Sequence, residues 1–304
     1  MRCFVKTDST VSCMKLAFLE APVCKGSPTD GSQYAFASLC QHGLAARYPD
    51  AKLLPMTIPS FCDTPIDTPK TKDLNEVMAI SRLLAETVSK NLRKGYLPVT
   101  VGGDHSIAIG TIAGVSEVYD TEKISVIYID GHTDINNEET TETGFIHGMP
   151  LAAAMGCCGD ALTVGKKKNL LGKNTVIVGA RSIDRGEYRI IDEQGVKLYT
   201  ADEVKERGVE AVWNEILARI TTPYIHVSFD VDVMDEKVFS ATGYRMKNGL
   251  SREETEALLR ACFATGRVTS LDCVEYNPLL DADGTCRKTL FSLLDAAFSS
   301  VPNE

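Results

Sequence analysis

The sequence lacks any CxxC pair, and its ten cysteines follow no regular spacing along the 304 residues. Zinc ribbons and disulfide frameworks need paired or regularly spaced cysteines, so both kinds of scaffold are excluded. Cysteines without such a pattern are typical of reduced, mostly buried thiols. The cysteines therefore indicate a protein of a reducing compartment.

Long apolar runs and an excess of positive charge are also missing. A membrane-spanning helix needs about 20 apolar residues, and no such run occurs. The first 22 residues, MRCFVKTDSTVSCMKLAFLEAP, place Asp8 where a signal peptide needs an unbroken apolar stretch. The 32 Lys and Arg residues are outnumbered by 41 Asp and Glu residues, which gives a net charge of −9. The sequence therefore predicts a cytoplasmic protein that binds neither nucleic acid nor membrane.

Short apolar runs alternate with helical stretches along the whole chain. Most of the runs are rich in Val and Ile, and they predict buried strands at residues 15–19, 52–58, 97–101, 124–129, 175–178, 196–199, 224–229 and 268–274. Helical spacing predicts helices at residues 74–92, 106–118, 201–220, 251–265 and 286–299. Since parallel strands need crossover connections, the alternation predicts a single α/β domain over residues 1–304 with helices on both faces of a parallel sheet.

Acidic residues and histidines follow three of these strands. They are Asp104 and His105 in GGDHS (102–106), Asp130, His132 and Asp134 in DGHTDIN (130–136), and Asp230, Asp232 and Asp235 in SFDVDVMD (228–235). Ligands of open parallel sheets collect at the carboxyl ends of the strands. If the backbone stays extended, the i, i+2 spacing points the side chains of each motif to one side. We therefore expect these side chains to converge.

Converging carboxylates repel one another unless protons or cations neutralise them, and two divalent cations would do so. Histidine and carboxylate ligands suit manganese, zinc or iron, and a set this rich in oxygen favours manganese. Taken singly, each aspartate could instead cap a helix or turn, and each histidine could belong to the core or a loop. Only the three motifs together favour a metal centre.

The three motifs, in this order, resemble those of the ureohydrolase family, which includes arginases, agmatinases and formiminoglutamases. KGSP (25–28), HGMP (147–150) and SLDCVEYNP (270–278) extend the resemblance over nearly the whole chain. The resemblance implies a single-domain, three-layer αβα fold with an eight-stranded parallel sheet. It also implies two Mn²⁺ ions per subunit and assembly into a homotrimer or homohexamer.

The resemblance further implies roles for individual residues. One ion would be held by His105, Asp130, Asp134 and Asp230, and the other by His132, Asp130, Asp230 and Asp232. A hydroxide that bridges the ions would attack the amidino carbon of the substrate. Asp134 would then pass its proton to the leaving nitrogen, and His147 would carry protons to the leaving amine or to solvent.

Glu275 matches the family carboxylate that hydrogen-bonds the substrate guanidinium. It could instead be a strand-end glutamate that faces solvent, and His147 could be a surface-loop histidine. A planar cation in a dry cleft needs a carboxylate partner, which favours the functional interpretation of Glu275.

Substrate recognition is expected in the loop after the second motif, at residues 136–150. Asn136, Thr141 and Thr143 match the arginase positions that hold the α-carboxylate of arginine, although each could be an ordinary turn residue. In GARSIDRGE (179–187), Asp184 matches one of two acidic positions that hold the α-amino group, while Ser182 replaces the other. The matches at the carboxylate positions favour an amino-acid substrate over agmatine, which has no carboxylate.

The loop ATGYRMKNG (241–249) departs from the TGTP of arginases and agmatinases, because Tyr244 and Arg245 replace a small hydroxyl residue and a proline. Arg245 could bind a carboxylate of an anionic substrate, or it could face solvent or a neighbouring subunit. We therefore predict a manganese-dependent hydrolase of a small guanidino or amidino compound, with L-arginine to L-ornithine and urea as the first reaction. The alternatives are a formiminoglutamase or another amidinohydrolase of an anionic substrate, and a non-catalytic metal-binding relative.

Overall fold

A computed structural model of the chain describes residues 15–58, 67–165 and 169–302. Within these ranges one sheet contains β1 (Leu16–Glu20), β2 (Lys52–Leu54), β3 (Leu97–Val101), β4 (Ile124–Ile129), β5 (Thr175–Ala180), β6 (Lys197–Thr200), β7 (Tyr224–Asp230) and β8 (Val268–Val274). All neighbours are parallel, in the order β2-β1-β3-β8-β7-β4-β5-β6. The predicted fold class is confirmed. Its extent over residues 1–304 includes residues outside the described ranges and stays a prediction.

The helices of the described ranges are α1 (Ala35–Gln41), α2 (Leu44–Arg47), α3 (Leu74–Leu92), α4 (Ala108–Ser116), α5 (Pro150–Met155), α6 (Arg185–Gln194), α7 (Ala201–Arg207), α8 (Val209–Arg219), α9 (Arg252–Ala264) and α10 (Thr285–Phe298). None of them is both long enough and apolar enough to cross a membrane. Every cysteine in the described part of the chain is a free thiol.

Alternate residues of the central strands face two separate hydrophobic cores. On β4, Ile127 and Ile129 pack with the core that includes α1 and α7 to α10, whereas Val126 and Tyr128 pack with the core of α3 to α6. The two-residue period of a strand sends successive side chains to opposite faces. Buried apolar residues on both faces produce the predicted three layers.

Differences from the predicted elements have local causes. Strand β2 ends at Leu54 because Pro55 has no N–H to donate to a neighbouring strand. The predicted helix 201–220 is divided into α7 and α8 at Gly208, whose φ is 80°. The short helices α1, α2 and α5 were not predicted, since they hold too few residues to show a helical period. Polar α6 was also missed.

The sheet order brings together strands that are distant in sequence. Strands β3, β8, β7 and β4 lie side by side at its centre. His105 follows β3, Asp130 follows β4, Asp230 ends β7 and Glu275 follows β8. Because all these strands are parallel, their carboxyl ends meet at one edge of the sheet.

Candidate metal centre and substrate cavity

A tight bend after β3 brings His105 to this edge. Gly103 has a φ of 79°, and a Cβ atom there would lie 3.0 Å from a backbone oxygen, so the bend needs glycine. The Asp104 carboxylate accepts hydrogen bonds from the N–H groups of Gly26 and Ser106, both at 2.9 Å. Asp104 therefore stabilises the turn, and His105 is the residue of GGDHS that reaches the centre.

Asp130 and Asp230 each begin a local turn, and the two turns have the same hydrogen-bond pattern. Oδ1 of Asp130 accepts from the N–H of His132 at 2.6 Å, and Oδ1 of Asp230 accepts from the N–H of Asp232 at 2.8 Å. The second oxygen of each aspartate lies beside His105. Its Nδ1 is 2.8 Å from Oδ2 of Asp130 and 3.2 Å from Oδ2 of Asp230. The i, i+2 spacing in both motifs thus has a hydrogen-bonded basis.

The six predicted ligands form two adjoining clusters. In the first, Oδ2 of Asp134 lies 3.3 Å from Nδ1 of His105. In the second, Nδ1 of His132 lies 3.1 Å from Oδ2 of Asp232 and 3.5 Å from Oδ1 of Asp130. Asp130 belongs to both clusters, as a residue between two metal ions would.

Two buried atoms of the first cluster indicate what it can bind. Nδ1 of His105 and Oδ2 of Asp130 are 2.8 Å apart, yet within the described residues neither has a hydrogen-bond partner. The two atoms therefore lie side by side and are not oriented as donor and acceptor. Buried polar atoms without a partner are costly, and a shared cation would satisfy both.

The charges of the centre point the same way. Burial and the neighbouring Asp232 raise the pKa of Asp230 well above its ordinary value. Burial would also raise the pKa of Asp130, but the two histidines outweigh burial and lower it. The four carboxylates of the clusters exceed the charge that two histidines can supply. Two divalent cations would offset them, so these residues fit a binuclear centre.

Asp134 and Glu275 reach the centre through unusual backbone conformations. Their φ angles are 46° and 62°, in the left-handed region that residues with a Cβ atom rarely adopt. The Tyr128 hydroxyl donates to Oδ2 of Asp134 at 2.9 Å, and its ring stacks on that of His105 with centroids 4.3 Å apart. The assumption of an extended backbone through residues 130–134 was therefore wrong, although the side chains do converge.

His147 lies beside Glu275 at the entrance to the centre. Its Nδ1 is 3.4 Å from Oε1 of Glu275, which also accepts from the N–H of His105 at 3.1 Å. Burial would lower the pKa of His147, but Glu275 and the nearby aspartates outweigh burial and raise it. The N–H of His147 donates to the carbonyl of Gly26 at 3.0 Å, so the HGMP and KGSP segments meet here.

A cavity of about 240 Å³ opens beside the clusters. It is lined by His132, Asp134, Asn136, Thr141, Thr143, Phe145, His147, Gly148, Ser182, Asp184, Glu187, Tyr244 and Met246. Four of the six predicted substrate-binding residues thus line this cavity, whereas buried Glu275 does not line it but lies against His147, which does. Arg245 does not line this cavity and is exposed, so the structure places it in solvent and gives no support to its predicted contact with a substrate.

Asn136 and Asp184, expected at opposite ends of an amino acid's polar head, are in direct contact. Nδ2 of Asn136 donates to Oδ2 of Asp184 at 2.9 Å. Buried Oδ1 of Asn136 has no hydrogen-bond partner in the described ranges. Glu187 fixes the backbone at Asp184 and at Ile135, the residue before Asn136. Its carboxylate accepts hydrogen bonds from the N–H groups of Ile135 at 3.0 Å and Asp184 at 2.8 Å. Burial raises the pKa of Glu187 to about 7.

The sequence model of the Arginase family matches residues 15–299, nearly the whole chain. The chain belongs to the arginase family. This membership confirms the predicted family and enzyme class, a ureohydrolase. The arginase of Bacillus subtilis is 36% identical over 249 residues, which cover 79% of this chain and 83% of that protein. The arginase of Bacillus caldovelox is 36% identical over 233 residues, which cover 75% and 77%.

Solved structures of arginase-family proteins share the fold. The arginase of Entamoeba histolytica in complex with L-ornithine superposes with a TM-score of 0.86 at 29% identity, covering 94% of this chain and 99% of that one. The Bacillus cereus arginase gives 0.85 at 30% identity over 93% and 98%. Formimidoylglutamase of Bacillus subtilis, at 20% identity and a TM-score of 0.73 over 97% and 88%, shows likeness of fold alone. The family implies a binuclear metal site, to which the two clusters correspond.

Arg181 organises the arginase-family site although the sequence analysis missed it. Its Nη2 donates to the carbonyls of Asp232 at 2.7 Å and Met234 at 3.2 Å, and its Nε donates to the carbonyl of Lys247 at 3.1 Å. One guanidinium thus connects the turn of the third motif to the loop that follows it. Nothing in the local sequence marks an arginine as a clamp on backbone carbonyls elsewhere.

A buried polar group beneath the centre was also missed. Nε2 of His105 contacts Oγ of Ser228 at 2.8 Å, and this hydroxyl donates to Oδ2 of Asp272 at 3.4 Å. Oδ2 of Asp272 is also 3.1 Å from Nε2 of His226 and accepts a hydrogen bond from the Thr111 hydroxyl at 2.5 Å. Polar residues at alternate positions of buried β7, in IHVSFD, could have indicated this group. It fixes the ring of His105 so that Nδ1 faces the centre.

Ser228→Ala is expected to weaken the binding of a divalent cation about 10- to 100-fold, the usual effect of removing a hydrogen bond that orients a metal ligand. Titration of metal-free protein with Mn²⁺, followed by the paramagnetic resonance signal of the free ion, measures the change. Ser125→Ala is the matched control, because Ser125 is also a buried serine of a central strand but its hydroxyl contacts Oγ1 of Thr222 at 2.7 Å, outside this polar group. Equal affinities for the two variants would contradict a role for Ser228 in orienting His105.

Proposed function

We propose that this chain hydrolyses L-arginine to L-ornithine and urea at a centre of two Mn²⁺ ions. The observation that carries the proposal is the position of the cavity. It runs from the carboxylate and histidine clusters, through Asp134 and His147, to the joined side chains of Asn136 and Asp184. The arginases that are 36% identical to it over 249 and 233 aligned residues support the choice of arginine.

The six clustered residues would hold the metals. His105, Asp130, Asp134 and Asp230 would bind one ion, and His132, Asp130, Asp230 and Asp232 the other. When bound, the ions supply a nucleophile by lowering the pKa of water toward neutrality. Oxygen-rich ligation with two imidazoles suits Mn²⁺.

Glu275 would bind and orient the guanidinium. Its side chain is buried and close to His147, so a planar cation there would be removed from water and need a charged partner. A carboxylate offers two strong hydrogen bonds in the plane of a guanidinium. This contact would hold the carbon of the guanidinium in line with the clusters.

Proton transfer would involve Asp134 and His147. Oδ2 of Asp134 lies among the ligand atoms and is held by the Tyr128 hydroxyl, so it can receive a proton at the point of attack. His147 lines the cavity wall and is partly exposed, which allows it to exchange a proton between the leaving amine and solvent. The raised pKa of His147 favours its protonated, donating form.

The polar head of arginine would contact the wall formed by Asn136, Thr141, Thr143 and Asp184, with Ser182 beside them. Amide and hydroxyl groups can donate to the α-carboxylate, and Asp184 can accept from the α-ammonium group. Arg245 lies outside this wall, so it would not pair with an additional negative charge on the substrate. This arrangement favours arginine over formiminoglutamate.

Turnover of a substrate panel tests the proposal. Protein loaded with Mn²⁺ is given L-arginine, agmatine, guanidinobutyrate and formiminoglutamate, and urea, formamide and amine products are quantified. Arginine is expected to give the highest kcat/KM. Preferential release of formamide from formiminoglutamate would replace arginase with the first alternative, and no hydrolysis of any compound would favour the non-catalytic one. A homotrimeric or homohexameric state and a cytoplasmic location remain predictions, the former testable by light scattering.

Asn136→Ala is expected to raise the KM for arginine about 10-fold or more, because a hydrogen bond to a charged group contributes about 1.5–3 kcal/mol. Agmatine has no carboxylate and is the matched control substrate, so its KM should change far less in the same variant. Initial rates over a range of each substrate give both values. Similar losses for arginine and agmatine would mean that Asn136 does not recognise the carboxylate.

A further inference from the structure

The ring of Tyr244 lines the end of the cavity that lies beside His132 and His147. Its centroid lies 5.6 Å from that of His132, edge to face at 82°, and 5.3 Å from that of His147, tilted by 36°. His132 belongs to the second ligand cluster, and His147 lies against Glu275. A guanidinium held by Glu275 would therefore lie near this ring, with the head of the amino acid toward Asn136.

The negative charge of this region favours the neutral, protonated form of the Tyr244 hydroxyl. Burial and the nearby Glu275 raise the pKa of Tyr244 above its ordinary value. An uncharged aromatic face attracts a cation positioned over it. The phenol ring would thus offer a guanidinium a second contact besides the carboxylate.

The loop that carries Tyr244 is held by hydrogen bonds at Met246 and Lys247, just after the tyrosine. The carbonyl of Met246 accepts from the N–H of Glu236 at 3.0 Å and from Nη2 of Arg181 at 3.4 Å, and Nε of Arg181 reaches the carbonyl of Lys247. Gly131 lies against this loop, and a Cβ atom there would approach the terminal methyl of Met246 to 2.9 Å. The ring is therefore part of the preformed wall of the site.

We propose that Tyr244 is a specificity-determining residue that packs on the substrate guanidinium and excludes substituents on its terminal nitrogens. The proposal rests on the proposed function, because it concerns the same cavity and an amidino substrate. Selection by Tyr244 acts on the guanidinium end. It is therefore independent of how Asn136 and Asp184 recognise the polar head.

The test compares L-arginine with Nω-methyl-L-arginine. Hydrolysis of the second compound breaks the bond between Nε and Cζ, adds the oxygen of water to the carbon and its protons to the nitrogens, and yields L-ornithine and N-methylurea. Tyr244→Thr is expected to raise the KM for arginine about 3- to 30-fold through loss of the cation–π contact. It should also raise the kcat/KM for the methylated compound relative to arginine. Tyr244→Phe keeps the ring and should keep both wild-type preferences.

Binding provides a readout that does not need turnover. Calorimetric titration of the metal-free protein with each amino acid should show that wild type and Tyr244→Phe prefer arginine, and that Tyr244→Thr loses this preference. Tyr34→Thr, at a tyrosine that is 50% exposed, is the matched control for loss of a ring. An unchanged preference in Tyr244→Thr, or a Tyr244→Phe variant that behaves like Tyr244→Thr, would overturn the proposal. Failure of wild type to hydrolyse any guanidino compound would overturn the proposed function, while the binding preference would still decide the role of Tyr244.

Discussion

Asp130→Asn is expected to abolish the binuclear centre and reduce turnover of arginine by about 1,000-fold or more. Asp130 is fully buried and is the one side chain that both described clusters share. Its Oδ2 lies 2.8 Å from Nδ1 of His105, and its Oδ1 lies 3.5 Å from Nδ1 of His132. Asparagine keeps the shape of the side chain but removes the charge that two neighbouring cations would share. The variant should therefore fold and fail to retain both ions.

Metal content after dialysis, measured by inductively coupled plasma mass spectrometry, tests this result together with urea release. We expect two manganese ions per chain in the wild type and fewer than one in Asp130→Asn. Asp235→Asn is the matched control, since Asp235 lies in the third motif but its carboxylate accepts from the N–H of Lys237 at 3.0 Å, outside the clusters. Full metal content in Asp130→Asn would show that the ions bind elsewhere.

Glu275→Gln is expected to lower the kcat/KM for arginine by about 100- to 1,000-fold while leaving the metal content unchanged. Loss of one partner from a buried ion pair costs about 3–5 kcal/mol, and about 1.4 kcal/mol corresponds to a factor of ten. Glutamine has the same size and can still accept the hydrogen bond that the N–H of His105 donates to Glu275 at 3.1 Å. The loss would therefore come from the missing charge opposite the guanidinium.

Steady-state kinetics and metal analysis on the same samples separate this effect from that at Asp130. Glu139→Gln makes the same chemical change at a side chain that is 80% exposed, and it should behave as the wild type does. If Glu275→Gln retained wild-type kcat/KM, the guanidinium would have to bind a different group. If it lost manganese instead, Glu275 would act through the metal centre.

The sequence was a good guide to the strands and a poor guide to their order. Apolar runs, most of them rich in Val and Ile, located the eight strands of the described sheet, because strands buried in a parallel sheet are apolar on both faces. No pattern within a run states which strand will be its neighbour. The adjacency of β3, β8, β7 and β4 depends on pairing between residues that are distant in sequence, and Val99 pairs with Leu271, 172 positions later.

The residues of the site also divide into those that the sequence could predict and those that it could not. His105, Asp130 and Asp230 were predictable because each stands at the end of an apolar run, where the chain leaves the sheet. The conformation of the loop at residues 241–249 was not predictable, since it depends on contacts from Arg181, which lies 66 positions before Lys247. The local sequence therefore could not decide that Tyr244 would line the cavity and Arg245 would face solvent.

The left-handed backbone conformations of Asp134 and Glu275 set the stability of this enzyme against its activity. Each such conformation costs about 1–3 kcal/mol in a residue with a Cβ atom, and each carboxylate adds repulsion to a crowded centre. Glycine at either position would relieve the backbone and remove a negative charge. A screen for heat-resistant variants that ignored catalysis would therefore be drawn to these two positions, and each variant it recovered there would gain stability by giving up a group that the reaction needs.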